Sequence, residues 1–189
     1  MGSKKIEKDE LVGIAGRLFR INGYANTSMQ DIAEAAGLFK GSIYYYFANK
    51  ELLLIAAIEK IHRHFDEHIF CLAYDDSKSQ GTKMKAFVQA TYEFFENREC
   101  GCLMGNVMLE LPQEEGGVKS AIKNYFDDWA AAFVAILGGG RSDEVLAKEW
   151  VGNIQGALLI EKIYPKEKIL KKTLDKIAAE TIREAKNEK

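Results

Sequence analysis

Proline and cysteine are scarce in this chain. Its 189 residues include two prolines, Pro112 and Pro165, and three cysteines, Cys71, Cys100 and Cys102. Because proline interrupts helix interiors, its scarcity permits long helices. An odd number of cysteines, in a chain that shows no signal peptide, argues against a disulfide-stabilised secreted domain. The sequence therefore predicts a cytoplasmic protein.

Long apolar runs and common enzyme motifs are also missing. Hydrophobic residues make up 47% of the chain, which is ample for a buried core. The longest uncharged stretches, 129–140 and 150–160, are shorter than the roughly 20 residues that a membrane helix needs. The sequence has no Gly-rich phosphate loop, nucleophile elbow or CxxC pair. We therefore expect no membrane span, no enzyme activity and no cofactor.

The chain carries a slight excess of negative charge, and its net charge differs in sign between the first 50 residues and the remainder. The net charge is −2. Residues 1–50 contain seven lysines and arginines against five acidic residues, which leaves a net charge of −4 for the remainder. A basic head on an acidic body is compatible with local contact to DNA phosphates.

Residues 27–50 have the pattern of a helix-turn-helix. Ser28 is placed to cap a short helix, with Asp31 as its capping-box partner three residues later; Thr27 and Gln30 offer the same box one residue earlier. Gly37 then ends this helix, since glycine readily adopts positive φ. An ordinary helical hairpin is the alternative, but the second helix is short and polar.

The second helix is predicted over Lys40–Phe47 and suits a phosphate-lined groove. Lysine and tyrosine side chains bind phosphate oxygens, and the side chains that project furthest read base edges. Tyr46 is equally compatible with internal packing. The predicted DNA-binding residues are Thr27, Ser28, Gln30, Lys40, Gly41, Ser42, Tyr44, Tyr45, Tyr46 and Lys50.

A longer string of residues carries a family resemblance. It combines the Gly23-Tyr24 turn, the capping box, the turn glycine and the pattern K-G-x-x-Y-x-x-F-x-x-K-E-x-L-L. From about Leu11 to Leu54 the chain resembles the N-terminal domain of the tetracycline-repressor (TetR/AcrR-type) family of bacterial transcriptional regulators. Phe39 departs from the family pattern, which commonly has a serine that caps the recognition helix. Either Phe39 gains packing that offsets the lost cap, or this helix begins more loosely.

The resemblance implies an all-α homodimer with two domains in each subunit. We predict a three-helix DNA-binding domain at residues 1–48 and a larger helical ligand-binding and dimerisation domain at 49–189. Helical patterns predict a helix from Asn49 to about Leu72, another capped by Ser142, and a last helix that starts at Pro165.

The two C-terminal helices are the expected dimer surface, as in the family. Gly152 and Gly156 lie four residues apart, so they share a helical face on which two backbones can approach closely. Intramolecular packing of the same glycines is the alternative, because this spacing has no special force in water.

The expected function is a ligand-responsive transcriptional regulator, with repression the favoured mode. The homodimer would bind a palindromic DNA operator and be released by a small apolar or aromatic effector. Aromatic residues at helical spacing are often core residues instead. The candidate effector-binding residues are Phe65, His68, Tyr92, Phe95, Cys102, Tyr125, Trp129 and Asn153.

Two further hypotheses concern Cys102 and a cluster of histidines. Cys102 lies in a stretch resembling a G-C-L segment of the family, where some relatives sense electrophiles or oxidants; a buried structural thiol is the favoured alternative. A small helical metalloenzyme using Glu59, His62, His64 and His68 is the alternative function. It is disfavoured because these residues come from one helix, whereas a two-metal core needs ligands from several. No metal site is therefore predicted.

Overall fold

A computed structural model describes residues 6–96, 101–111 and 116–187, and all regular structure within these ranges is helical. The predicted all-α fold is thereby confirmed. The α-helices are α1 (Lys8–Asn22), α2 (Met29–Ala35), α3 (Lys40–Ile43), α4 (Lys50–His68), α5 (Gln80–Glu96), α6 (Leu103–Met108), α7 (Gly117–Leu137), α8 (Arg141–Glu161) and α9 (Ile169–Asn187). Short 3₁₀ helices cover Phe70–Tyr74 and Pro165–Glu167.

The chain forms two compact units whose limits differ from the predicted boundary after residue 48. The first comprises Met1–Arg63 with Cys102–Lys123, and the second comprises His64–Gly101 with Asn124–Lys189. The first unit takes in a later segment of chain because α6 packs against α1. Sequence periodicity identifies helices but does not show which distant helices pack together.

The first unit is built on the apolar face of α1. Leu11, Ala15 and Phe19 are buried and lie four residues apart, so they share one face of the helix. Gly16 lies where α1 approaches α4, and a Cβ built there would be 3.3 Å from the Cβ of Ala57. The close approach of these helices therefore favours a residue without a side chain at position 16.

The second unit has an aromatic core. Phe65, near the end of α4, lies within ring-contact distance of residues from α5 and α7, including Phe95 and Trp129. Helix α9 packs against both α5 and α8. Gly81 marks close packing in this unit, since a Cβ at that position would lie 3.2 Å from the Ile182 side chain.

Several predicted helix ends need correction. Helix α4 ends at His68 rather than near Leu72, and a 3₁₀ helix follows it. The N-cap of α8 is Gly140 rather than Ser142, and the Gly140 N–H donates to the Asp143 carboxylate at 2.7 Å. Pro165 opens a 3₁₀ turn, and left-handed Lys168 separates that turn from α9.

Candidate functional site: a DNA-reading surface

Helix α2 begins with the predicted capping box. The Ser28 N–H donates to the Asp31 carboxylate at 2.7 Å, and the Ser28 hydroxyl accepts from the Asp31 N–H at 3.2 Å. The hydrogen bond from the Ser28 backbone, reinforced by its hydroxyl, lowers the pKa of Asp31 from its ordinary value. These bonds fix the start of the first helix of the helix-turn-helix.

The turn between α2 and α3 depends on a left-handed glycine. Gly37 has φ +68°, and the next amide, that of Leu38, donates to the Ala33 carbonyl at 2.8 Å. Ala33 and Ile43 are almost completely buried in this unit. The helix crossing thus has a small residue on α2 and a branched residue on α3, which directs the opposite side of α3 outward.

Four of the ten predicted DNA-binding residues are exposed on that outer side or directly after α3. Tyr45 is 90% exposed and Tyr44 48% exposed, and Lys40 is also exposed. A Cβ built on Gly41 would meet no atom within 4 Å, so another molecule can approach the backbone there. Large aromatic side chains exposed beside a lysine suit a surface that contacts both bases and phosphates.

Helix α3 is shorter than predicted. It ends at Ile43 rather than Phe47, and the amides of Tyr45 and Tyr46 donate to carbonyls three residues back. Tyrosines are weaker helix formers than alanine or leucine, and no side chain caps the start of α3. Phe39, at the N-cap, is 69% exposed, so the first expectation for it, offsetting internal packing, is wrong.

Three predicted DNA contacts have intramolecular partners. The Thr27 hydroxyl is buried and donates to the Gly23 carbonyl at 2.7 Å. Tyr46 donates from its hydroxyl to the Ile6 carbonyl at 3.1 Å. The Lys50 ammonium donates to the Tyr24 carbonyl at 2.8 Å and lies 4.3 Å from the centre of the Tyr24 ring.

These contacts give Thr27, Tyr46 and Lys50 structural roles in the unit. The other predicted residues remain near the surface. Ser42 is half-buried, and the exposed Gln30 side chain donates to Glu34 at 2.8 Å. Contact of any of the ten residues with DNA stays a prediction.

Sequence patterns did not identify two residues that hold the end of α1 and the turn between α1 and α2, directly before the helix-turn-helix. Glu110 accepts hydrogen bonds from the backbone amides of Tyr24 and Ala25, and Asn106 donates to the Arg20 carbonyl. They lie more than 80 residues further along the chain, so no local pattern connects them to the turn. One indication of these contacts lies in the sequence: residues 100–111 are largely apolar, which predicts that the segment packs against another part of the protein.

Residues 14–57, which include the complete helix-turn-helix, match the family described as bacterial regulatory proteins, tetR family. The DNA-binding domain of the chain is of the TetR family. It is 28% identical over 140 residues to an uncharacterised HTH-type transcriptional regulator, YxaF of Bacillus subtilis, covering 72% of this chain and 73% of that protein. It is 27% identical over 165 residues to the HTH-type transcriptional repressor DhaR of Mycobacterium sp., covering 82% of each chain.

Solved structures agree with this fold over nearly the whole chain. A TetR transcriptional regulator from Legionella pneumophila superposes with a TM-score of 0.82 at 24% identity, covering 94% of this chain and 98% of that one. The reduced form of Escherichia coli NemR has a TM-score of 0.76 at 20% identity, covering 90% and 94%. At these identities the likeness establishes the fold alone. As a TetR-family member, the protein is a DNA-binding transcriptional regulator.

Four of the predicted effector-binding residues lie together in the second unit. The Phe65 ring centre lies 5.1 Å from that of Tyr125 and 5.3 Å from that of Trp129. Phe95 stacks parallel to Trp129 at 6.3 Å. Phe65, Tyr125 and Trp129 are completely buried, and Phe95 nearly so. The four residues thus belong to the hydrophobic core of this unit.

The other effector candidates lie elsewhere. His68 stacks on His64 at 4.4 Å, and the Tyr92 hydroxyl donates to the exposed Glu96. Asn153 is exposed on α8, in the groove between α8 and α9. Cys102 belongs to the first unit, where it is buried at the N-cap of α6, and Cys100 lies outside the described residues.

The metalloenzyme alternative receives no support from the relatives, which are transcription regulators. Its proposed ligands Glu59, His62, His64 and His68 all come from α4, as the sequence indicated. In the part of the chain that the structure describes, no helix is long and apolar enough to cross a membrane.

Proposed function

We propose that this TetR-family protein is a repressor that binds an inverted-repeat operator as a homodimer, with one copy of α3 in the major groove at each half-site. The exposed residues Lys40 and Gly41 on α3, with Tyr44 and Tyr45 directly after it, carry this proposal. The recognition helix of a helix-turn-helix contacts base edges, and dimer symmetry is reflected in a palindromic site. Such a protein would act in the cytoplasm, where the operator is.

Selection from a pool of random double-stranded DNA tests operator reading. We expect enrichment of one inverted repeat, which the protein binds about 10³-fold or more tightly than unrelated DNA at physiological salt. Recovery of DNA without a common sequence would contradict the proposal. A reporter gene placed behind the selected site then tests repression, which requires expression to fall when the protein is present.

The proposed dimer surface is the outer face of α8 and α9. A Cβ on either Gly152 or Gly156 would meet no atom within 4 Å, so packing against the described residues of the same subunit explains neither glycine. Apolar side chains are also exposed in the last turn of α8 and just after it, at Leu159, Ile160 and Ile163. A groove of about 740 Å³ runs between the two helices. A second copy of the chain would cover these surfaces.

Gly156→Glu tests this dimer surface. The single subunit has room for the new side chain, whereas two closely approaching backbones do not. We expect a monomer by light scattering and loss of preference for the inverted repeat. Gly116→Glu is the matched control, because a Cβ there also meets no atom within 4 Å. A dimeric Gly156→Glu protein would contradict this surface.

The proposed effector is an uncharged, largely aromatic molecule that carries a hydrogen-bond acceptor. The aromatic core of the second unit supports the first property, since ligand sites are lined mainly by apolar and aromatic side chains. Trp129 supports the second. Its buried Nε1–H has no acceptor among the described residues, and a buried donor in that state costs about 1–3 kcal/mol.

Trp129→Phe removes that donor and keeps an aromatic ring. A panel of neutral aromatic ketones and their matching hydrocarbons can be tested for operator release. We expect the ketones to act on the parent protein and the variant to lose its preference for ketones over hydrocarbons. Equal action of both classes on the parent would contradict a role for the Trp129 N–H.

A further inference from the structure

The turn that leads into the helix-turn-helix is held by a carboxylate from a distant part of the chain. Glu110 accepts from the Tyr24 N–H at 3.1 Å and, through its other oxygen, from the Ala25 N–H at 2.7 Å. Both amides lie between α1 and α2, outside the hydrogen bonds within either helix. Glu110 therefore supplies the acceptors for two successive donors of this turn.

Asn106 holds the same region as a hydrogen-bond donor, whereas Glu110 is an acceptor. Its side-chain N–H donates to the Arg20 carbonyl at 3.2 Å, in the last turn of α1. Carbonyls in the last turn of a helix lack partners within the helix. Asn106 and Glu110 together with Arg20, Tyr24 and Ala25 form what we name the turn clamp. All of its members belong to the first compact unit.

The backbone of the turn is shaped for this contact. Gly23 has φ +89°, and a Cβ there would lie 2.9 Å from a Glu110 carboxylate oxygen. On the other side of the Tyr24 residue, its carbonyl accepts from Lys50 of α4. The turn is thus bound from two directions, by α4 and by the segment that follows α6.

We propose that Glu110 and Asn106 are positioning residues for DNA binding. They fix the turn from which α2 and α3 extend, so that α3 is already oriented when DNA arrives. Without the turn clamp, DNA binding would have to order this turn, and ordering reduces affinity. The inference rests on the proposed reading of DNA by α3. It also implies that any shift of residues 103–111 changes how firmly the reading helix is held.

Removing the charge of Glu110 tests the turn clamp, because a purely electrostatic effect and a loss of positioning would change operator affinity in opposite directions. Loss of one negative charge from a DNA-binding unit by itself favours binding to phosphates. Glu110→Gln should nevertheless bind the selected operator about tenfold more weakly, because its amide retains one acceptor oxygen instead of two. Glu10→Gln is the control: Glu10 is an exposed acid on α1, and its neutralisation should leave affinity equal or slightly higher.

Two further readouts separate positioning from DNA contact and from general destabilisation. At a temperature where circular dichroism shows every variant to be folded, amide exchange at Tyr24 and Ala25 should accelerate about tenfold in Glu110→Gln, while exchange in α5 stays unchanged. The salt dependence of binding should keep its slope, since no phosphate contact is lost. Asn106→Ala should weaken binding in the same direction and by less.

The outcomes decide between the inference and the proposed function. A parent protein that selects no operator contradicts the proposed function. A parent that binds its operator, with Glu110→Gln binding equally well or more tightly, overturns the turn clamp alone. Reduced affinity with a lower salt slope would also overturn it, because that result would identify a direct electrostatic effect. If Glu110→Gln does not fold, Asn106→Ala with the same exchange measurement decides the question.

Discussion

The tyrosines that directly follow α3 and the aromatic residues around Phe65 belong to the same chemical class, but the first are exposed and the second are buried. Tyr44 and Tyr45 extend from a four-residue helix into open space. Phe65 and Trp129 are completely buried. Burying large aromatic side chains stabilises a fold, whereas leaving them exposed does not. The comparison therefore assigns the stability of the second unit to its aromatic core, and it fits the proposed role of the exposed tyrosines in DNA recognition.

The largest expected effect comes from emptying the core. Phe65→Ala should lower the free energy of unfolding by about 3–5 kcal/mol, because it removes a buried ring and leaves a cavity. Tyr45→Ala should change it by less than about 0.5 kcal/mol, as is usual for surface substitutions. Urea unfolding of both variants checks this contrast. Equal losses of stability would mean that the two groups of aromatic residues do not differ in the way proposed.

The second prediction concerns sequence recognition rather than stability. Lys40→Ala and Tyr45→Ala should weaken operator binding by about 1–3 kcal/mol and relax the base preference at one position of each half-site. Competition binding against operators changed at single positions measures both effects. Tyr44→Phe is expected to weaken binding to all sequences alike. Unchanged preference in Lys40→Ala would show that α3 docks differently.

The third prediction concerns Lys50, because its ammonium binds within the first unit rather than projecting freely. It bonds to the Tyr24 carbonyl and lies over the Tyr24 ring. Lys50→Ala should therefore weaken operator binding without changing the salt slope and should lower the melting temperature. A slope reduced by about 1 would instead identify Lys50 as a phosphate contact. Binding measured from low to high salt distinguishes these results.

Phe39 gives a smaller effect in the opposite direction. A serine at the N-cap stabilises a helix by about 1 kcal/mol through its hydrogen bond to a free amide. Since the Phe39 side chain is mostly exposed, little packing is lost in Phe39→Ser. We expect the melting temperature to rise by about 2–4 °C. Phe39→Ala controls for loss of the ring, and a rise of the same size in that variant would exclude capping as the cause.

The smallest expected effect concerns Cys102. It is buried, whereas Cys71 is exposed. A maleimide should therefore label Cys71 readily and Cys102 only on unfolding, as peptide mass spectrometry can show. Mild treatment should release no more operator from the parent than from Cys102→Ser. Release that Cys102→Ser abolishes would instead establish this thiol as a sensor.

Local sequence patterns predicted the elements that depend on neighbouring residues. The Ser28 capping box and the left-handed Gly37 follow from residues a few positions apart. The structural roles of Thr27 and Lys50 could not be derived in this way, since their partners Gly23 and Tyr24 accept through backbone carbonyls. Any residue type offers such a carbonyl, so the sequence carries no mark of it.

Contacts between residues that are distant in sequence could not be predicted either. Glu110 and Asn106 reach the turn from more than 80 residues away, and periodicity showed neither contact. The clustering of Phe65 with Tyr125 and Trp129 was anticipated only as a set of aromatic residues at helical spacing. Spacing does not distinguish a packed core from the wall of a ligand site, and only the structure shows that the Trp129 N–H has no acceptor among the described residues.

Footprinting on a full inverted repeat and on a single half-site tests the central claim most directly. A dimer that presents two copies of α3 should protect both halves of the repeat at a concentration that leaves the isolated half-site unprotected. The centres of protection should lie about one helical turn or more apart. Equal protection of the half-site and the full repeat at the same protein concentration would contradict a dimeric reader.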